Sequence, residues 1–254
     1  MEHIHIAAQF GRVDALKKEL EVVDVNSPDE DGYTPLHWAC QEGYLEVVKL
    51  LVTQGADIEK TDNEGFRALE IASTKGFFQI VKFLIESGAN VKQERDGFTA
   101  LHAAATCCNV DIASLLIANG ADVNVIDEGG TGRTPLHWAA QEDCIDIAKL
   151  LIENGAYIEV KEDDGEGATP LRIAASGGYT KLVEILIKKG ANVNSFSKSD
   201  NNSSILHIAC AWNRVEVVRL LIENGADPNA LNNDGQTPLD IAIELGNEQI
   251  INLL

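Results

Sequence analysis

Five of the six histidines, His5, His37, His102, His137 and His207, are the first residues here whose type and spacing could do chemistry. Imidazole binds metals and shuttles protons near neutral pH. All five, however, hold the same place in a recurring segment. Helices that pack side by side lie about 8–10 Å apart, so rings one segment apart stand too far from each other for shared zinc ligation at about 2 Å per bond. The expected role is structural, with each ring hydrogen-bonded to nearby backbone, because buried polar groups are satisfied. The five cysteines are Cys40, Cys107, Cys108, Cys144 and Cys210. Their odd number and the lack of a CxxC pair fit a reducing compartment and argue against a disulfide framework and a zinc site. Cys40 and Cys210 read as small core residues, and Cys107 and Cys108 as partly exposed. The acidic pair Asp163-Asp164 lacks the alternating ligands of a calcium loop and reads as a solvated tip. No GxxxxGK, GxGxxG, GxSxG or HExxH occurs. No catalytic residue, metal ligand or cofactor is therefore expected, and the chain does not read as an enzyme.

The elements that carry these residues are set by repetition. TPLHWAC at 34–40 returns as TALHAAA at 99–105, TPLHWAA at 134–140, TPLRIAA at 169–175, SILHIAC at 204–210 and TPLDIAI at 237–243. RALEIAS at 67–73 and IHIAA at 4–8 are weaker copies. Each full copy continues into an apolar stretch such as VVKLL at 47–51 and then a Gly-Ala pair. From the motif leucine to that glycine is 19 residues in all six complete internal copies, Leu36 to Gly55 being the first. From the glycine to the next motif leucine the count varies between 13 and 16. The constant part must be a rigid packed unit, and the variable part an exposed connector. Thr34 suits an N-cap and Pro35 the first helical position. Gly43 can take the left-handed conformation that ends a helix. Val47, Val48, Leu50 and Leu51 give a second helix its apolar stripe. A pair of this kind buries its faces only by stacking on neighbours.

These residues resemble the ankyrin repeat, whose layout T-P-L-H-x-A-A … V-V-K-L-L … G-A-D-V-N has a period near 33 residues. The likeness runs from about His3 to Leu254. It implies an all-α repeat solenoid of about eight stacked helix-turn-helix ankyrin repeats with β-hairpin finger loops. Approximate copies are 1–28, 29–61, 62–93, 94–127, 128–162, 163–197, 198–231 and 232–254, one elongated ankyrin-repeat domain over 1–254. The resemblance further implies a curved slab whose fingers and first helices line a concave face. It marks Asn124 and Asn194 as similar to sites of asparaginyl hydroxylation. Departures exist. Arg67 and Ala68, and Ser204 and Ile205, replace Thr-Pro. Asp143 and Asn213 replace the stopping glycine, so those helix ends are expected to fray. The fingers before Leu136, Leu171 and Leu206 are two residues longer than usual. The last copy leaves Ile250, Ile251, Leu253 and Leu254 without a following repeat, which reads as a frayed final helix or a longer natural chain.

The net charge is −20. Such a surface repels phosphate backbones, so no nucleic-acid partner is expected. No apolar run approaches the roughly 20 residues that cross a bilayer, and the N-terminus lacks a signal-peptide layout. The expectation is an intracellular, cytoplasmic monomer with no membrane insertion. The segments 24–31, 57–64, 90–96, 122–132, 157–167, 192–203 and 227–235 hold 21 of the 40 acidic residues and five of the 20 basic ones. The fingers thus dominate the negative field, either to speed encounter with a basic partner or to keep the chain soluble.

Trp38 and Trp138 share an apolar position and are expected inside the stack. Trp212 and Phe10 occupy a mostly polar position, where an aromatic ring has no core reason. Tyr33, Phe66 and Phe98 follow the finger glycine in adjacent copies and should align as a ladder, for finger packing or for binding. The function expected is a non-catalytic protein–protein interaction scaffold that binds its partner on the concave finger and inner-helix face. Tyr33, Phe66 and Phe98 are its anchors, Glu30, Asp31, Glu42, Glu64 and Asp96 its acidic rim, and Trp212 the rival anchor. The matching partner is a protein segment with basic and apolar residues. The alternative is a substrate-recognition module of a larger machine, a ubiquitin-ligase adaptor or a secreted microbial effector.

Overall fold

The computed structural model describes residues 3–92, 97–127, 131–162 and 167–254. The chain divides into two compact units, Met1–Asp122 and Val123–Leu254. The first holds four helix pairs: α1 (His3–Gln9) with α2 (Val13–Glu19), α3 (Pro35–Glu42) with α4 (Leu45–Thr53), α5 (Ala68–Lys75) with α6 (Phe78–Glu86), and α7 (Ala100–Thr106) with α8 (Val110–Ala118). The second repeats the plan with α9 (Pro135–Gln141) and α10 (Ile145–Glu153), α11 (Pro170–Gly177) and α12 (Thr180–Lys188), α13 (Ile205–Ala211) and α14 (Val215–Glu223), and α15 (Pro238–Glu244) and α16 (Glu248–Ile251). Within each unit, first helices pack on first helices and second helices on second. This is the helical repeat stack that the constant spacing predicts.

Helices of only seven to nine residues are marginal alone, so burial and capping must sustain them. The motif leucines Leu36, Leu101, Leu136, Leu171 and Leu206 are buried together with the small residues that follow, Ala39, Ala104, Ala139, Ala174 and Ala209. Small side chains there let neighbouring helices approach. On the second helices Val47, Val48 and Leu51, and their counterparts Val217, Val218 and Leu221, form the buried stripe. Thr34, Thr169, Ser204 and Thr237 cap their helices through the side-chain oxygen, a contact worth about 1 kcal/mol each.

Helix ends depart from expectation at two places. Asp143 and Asn213 both adopt the left-handed conformation, with φ of 53°, as Gly43 does at 83°. The turns they close are intact: Cys144 N–H donates to the Ala139 carbonyl at 2.8 Å and Arg214 N–H to the Ala209 carbonyl at 2.8 Å. The expected fraying is therefore corrected. Short polar side chains reach this region at a modest cost that the packed repeat covers. The final helix α16 has only four residues, yet Ile250 is buried.

The fingers carry less regular strand than full hairpins would. Among the described residues the only ladder is β1 (Phe196–Ser197) with β2 (Ser203–Ser204), antiparallel, pairing Phe196 with Ser204 and Ser197 with Ser203. Elsewhere an Asx side chain organises the finger. Asp29 accepts from Tyr33 N–H at 2.9 Å, Asp62 from Phe66 N–H at 2.8 Å, and Asn232 from Gln236 N–H at 2.9 Å. Such local acceptors favour a turn over a continued ladder. Adjacent fingers are tied by Asn63, whose amide donates to the Glu30 carbonyl at 2.9 Å and whose N–H donates to the Asp31 carbonyl at 3.0 Å.

Candidate functional site

The recurrent histidines are structural, as their spacing predicts. His5, His37, His102, His137 and His207 are all buried. In four copies the ring Nδ1 accepts the N–H of the capping residue: Thr34 at 2.9 Å, Thr99 at 3.1 Å, Thr134 at 3.1 Å and Ser204 at 3.2 Å. An accepting Nδ1 puts the proton on Nε2. That nitrogen donates onward to the next finger, to the Ala168 carbonyl from His137 at 3.2 Å and to the Gln236 carbonyl from His207 at 2.9 Å. One imidazole thus fixes its own helix start and the following finger. Burial lowers the His37 and His207 pKa and pushes His137 down to about 4.

Three copies replace this histidine, with Glu70, Arg172 and Asp240, and each keeps part of its job; Asp240 accepts from Thr237 N–H at 2.8 Å. Arg172 donates to the Ser203 carbonyl at 2.8 Å, the same target in its finger, and pairs with Asp200. Glu70 accepts from Arg67 N–H at 2.9 Å and forms a salt bridge to the Arg67 guanidinium at 3.1 Å. Both members of that pair are buried. The loss of Thr and His in this copy is thus one exchange, in which a neutral capping pair becomes an ionic one.

Tyr33, Phe66 and Phe98 are half-buried. The ladder forms between the last two, whose rings meet edge-on at 6.4 Å. Phe98 also stacks on His102 at 5.2 Å. Tyr33 lies instead against His37 and Trp38 of its own copy, at 5.5 and 5.1 Å. Its phenol pKa is raised by burial and then by Asp62, Glu64, Asp29 and Asp31. Glu30, Asp31, Glu42 and Glu64 are exposed. Asp96 lies outside the described residues, as do Asp163, Asp164 and parts of the fingers 90–96, 122–132 and 157–167. Trp38 and Trp138 are half-buried rather than enclosed. Each indole N–H donates to a finger aspartate, Asp29 at 2.8 Å and Asp127 at 3.0 Å, which requires the ring edge to face the finger.

Trp212 stands apart at 61% exposure. It lines a cavity of about 270 Å³ in the second unit with Arg133, Glu162, Arg172, Ile173 and Asp200 among its walls. Arg133 lies over the Trp138 ring at 5.0 Å and pairs with Glu162 at 2.7 Å. Sequence reasoning missed these charged walls. The available signals were the three longer fingers in succession and the arginine in a histidine slot at 172.

The cysteines divide. Cys40 and Cys210 are buried free thiols, as expected of core residues, and burial raises both, Cys210 to about 12. Cys107 is an exposed thiol. Cys108 and Cys144 are in the disulfide state, which corrects the expectation of an all-thiol chain. No helix among the described residues is long and apolar enough to cross a membrane.

Comparison with known proteins agrees with the repeat plan. The family model described as ankyrin repeats (3 copies) matches in overlapping runs, 4–95, 56–127, 87–162, 126–197, 158–232 and 197–254. The crystal structure of the human ASB11 ankyrin repeat domain superposes with a TM-score of 0.79 at 26% identity, covering 90% of this chain and 100% of that one. Among curated proteins, acyl-CoA-binding domain-containing protein 2 of Arabidopsis thaliana is 43% identical over 58 residues, 22% of this chain and 16% of the relative. The human DNA-binding protein RFXANK is 48% identical over 56 residues, 21% of this chain and 22% of the relative. The chain thus spans less than a quarter of the length of these two relatives.

Proposed function

The chain belongs to the ankyrin-repeat family, and on that premise we infer that it is a non-catalytic, intracellular protein–protein interaction scaffold that binds its partner on the face of fingers and first helices. Ankyrin repeats in general are protein-interaction modules. The observation that carries the reading is the placement of Tyr33, Phe66 and Phe98. They are neither enclosed in the core nor fully solvated, and four carboxylates, of which Glu64 and Asp31 are exposed, crowd the first of them. A half-buried aromatic offers large apolar area at low entropic cost, and its fixed orientation is already set. The acidic rim steers a basic segment toward it and sets register more than affinity. The chemistry in the relatives' names, acyl-CoA and DNA, is not carried over. Those matches cover fewer than two repeats each, and a net charge of −20 opposes nucleic acid.

The test is a footprint. Hydrogen exchange of the chain, alone and with a partner recovered by affinity purification, should show new protection at the finger bases around 29–33 and 62–66 and on α3 and α5. Protection confined to α4, α6, α12 and α14 would place the contact on the opposite helices and reject this face.

A further inference from the structure

Phe10 and Trp212 hold the same position in their copies, and each is followed two residues later by an arginine, Arg12 and Arg214. In the first copy Arg12 lies over the Phe10 ring, 5.3 Å from its centroid. In the seventh the equivalent arginine is turned away. Arg214 runs back along Gly178 and its Nε donates to the Ser176 carbonyl at 2.9 Å. Trp212 is left 61% exposed, with no cation over its ring among the described residues. A further arginine-on-tryptophan contact, Arg133 over Trp138, stands beside the same cavity and shows the form such a site takes here: guanidinium over the ring, one edge held by the Glu162 carboxylate at 2.7 Å.

The cavity beside Trp212 supplies the second half of that arrangement. Glu162 engages Arg133 through Oε2, and Asp200 engages Arg172 through Oδ2. The other oxygens, Glu162 Oε1 and Asp200 Oδ1, accept no hydrogen bond among the described residues. Each of these ion pairs is net neutral, so an incoming cation meets no net positive wall and two open acceptor oxygens, in a chain of net charge −20. A volume of about 270 Å³ suits one long side chain rather than a drug-sized ligand, whose pockets run to several hundred Å³.

We propose that this cavity receives one arginine side chain of a partner protein, with its guanidinium over Trp212 and its N–H groups donating to Asp200 Oδ1 and Glu162 Oε1. Arginine fits better than lysine because a planar fork can stack and donate to two carboxylates at once, whereas an ammonium offers a compact point charge. The proposal rests on the reading of the chain as a protein-binding stack and names the chemistry recognised at its second unit.

The probe is a displayed library of random heptapeptides, selected on the wild-type chain and counter-selected on Trp212→Ala. Peptides that need Trp212 are expected to share an arginine at one position. Their affinity should fall about tenfold on Trp212→Ala, be largely kept by Trp212→Phe, and fall by a similar factor when the peptide arginine is changed to glutamine. The melting temperature of Trp212→Ala should stay near wild type, since the ring is exposed. Trp212-dependent peptides without a shared arginine overturn the proposal. So do peptides that bind the chain but ignore Trp212, although they leave the broader scaffold reading intact. A chain that selects no peptide at all contradicts both.

Discussion

Replacing Arg67 by threonine alone is expected to cost about 3 kcal/mol of stability, and adding Glu70→His is expected to return most of it. Arg67 and Glu70 are 5% and 1% exposed and hold each other at 3.1 Å. Two charges so deep repay their desolvation only while both are present. Burial already raises the Glu70 carboxyl against the opposing pull of Arg67, so removing the arginine leaves an acid that must be protonated or stay unpaired. The double change restores the Thr-x-x-His pair that caps α3, α7 and α9, and no charge remains buried. Urea midpoints of the two single variants and the double variant read the effect. A double variant as unstable as the sum of the singles would mean that the pair is not one exchanged unit.

The second large effect is a dependence on pH carried by His137. Its ring Nδ1 faces the Thr134 N–H at 3.1 Å, so a second ring proton would point at another proton. Burial first, and then the charge of Arg133, push its pKa down to about 4, against about 6.5 for an ordinary histidine. The unfolded chain therefore takes up a proton below about pH 6.5 that the folded ring refuses until about 4. This contribution is fully present above the higher value and is lost as pH falls through the window. At pH 5 the loss is about 2 kcal/mol. Carboxylate protonation in so acidic a chain acts in the opposite sense, so the comparison must be internal. The stability advantage of wild type over His137→Gln should shrink by about 2 kcal/mol between about pH 7.5 and pH 5. An advantage that does not change with pH would refute the buried, neutral ring.

The helix pairs were legible because the 19 residues from Leu36 to Gly55 recur without change, and packed helices admit no insertion. The histidine role was legible for the same reason, since one position repeated five times cannot be one metal site. The helix ends at Asp143 and Asn213 were misread. Sequence shows the missing glycine but not the packing that holds a polar residue at positive φ. The fingers carry less ladder than full hairpins because an Asx acceptor at Asp29 or Asp62 closes a turn without one; among the described residues a ladder of two paired residues forms only in the finger at 192–203. The aromatic alignment was half right. Phe66 and Phe98 meet, while Tyr33 turns inward to Trp38, whose indole is drawn toward Asp29. The cavity beside Trp212 left only indirect signals in sequence, the three longer fingers and Arg172 in a histidine slot. Glu162 and Asp200 come from different fingers and look like ordinary solvated acids until Arg133 and Arg172 engage them.

The central claim is that the finger and first-helix face binds a protein through a few aromatic anchors. The most direct test is a set of single alanine variants at 33, 66, 98 and 212, each measured for affinity to a recovered partner and for melting temperature. The account predicts that at least one variant weakens binding by about 2 kcal/mol or more, and that Trp212→Ala melts close to wild type. If Tyr33→Ala, Phe66→Ala and Phe98→Ala all lose stability while every variant keeps its affinity, the rings serve packing alone and the proposed face is wrong.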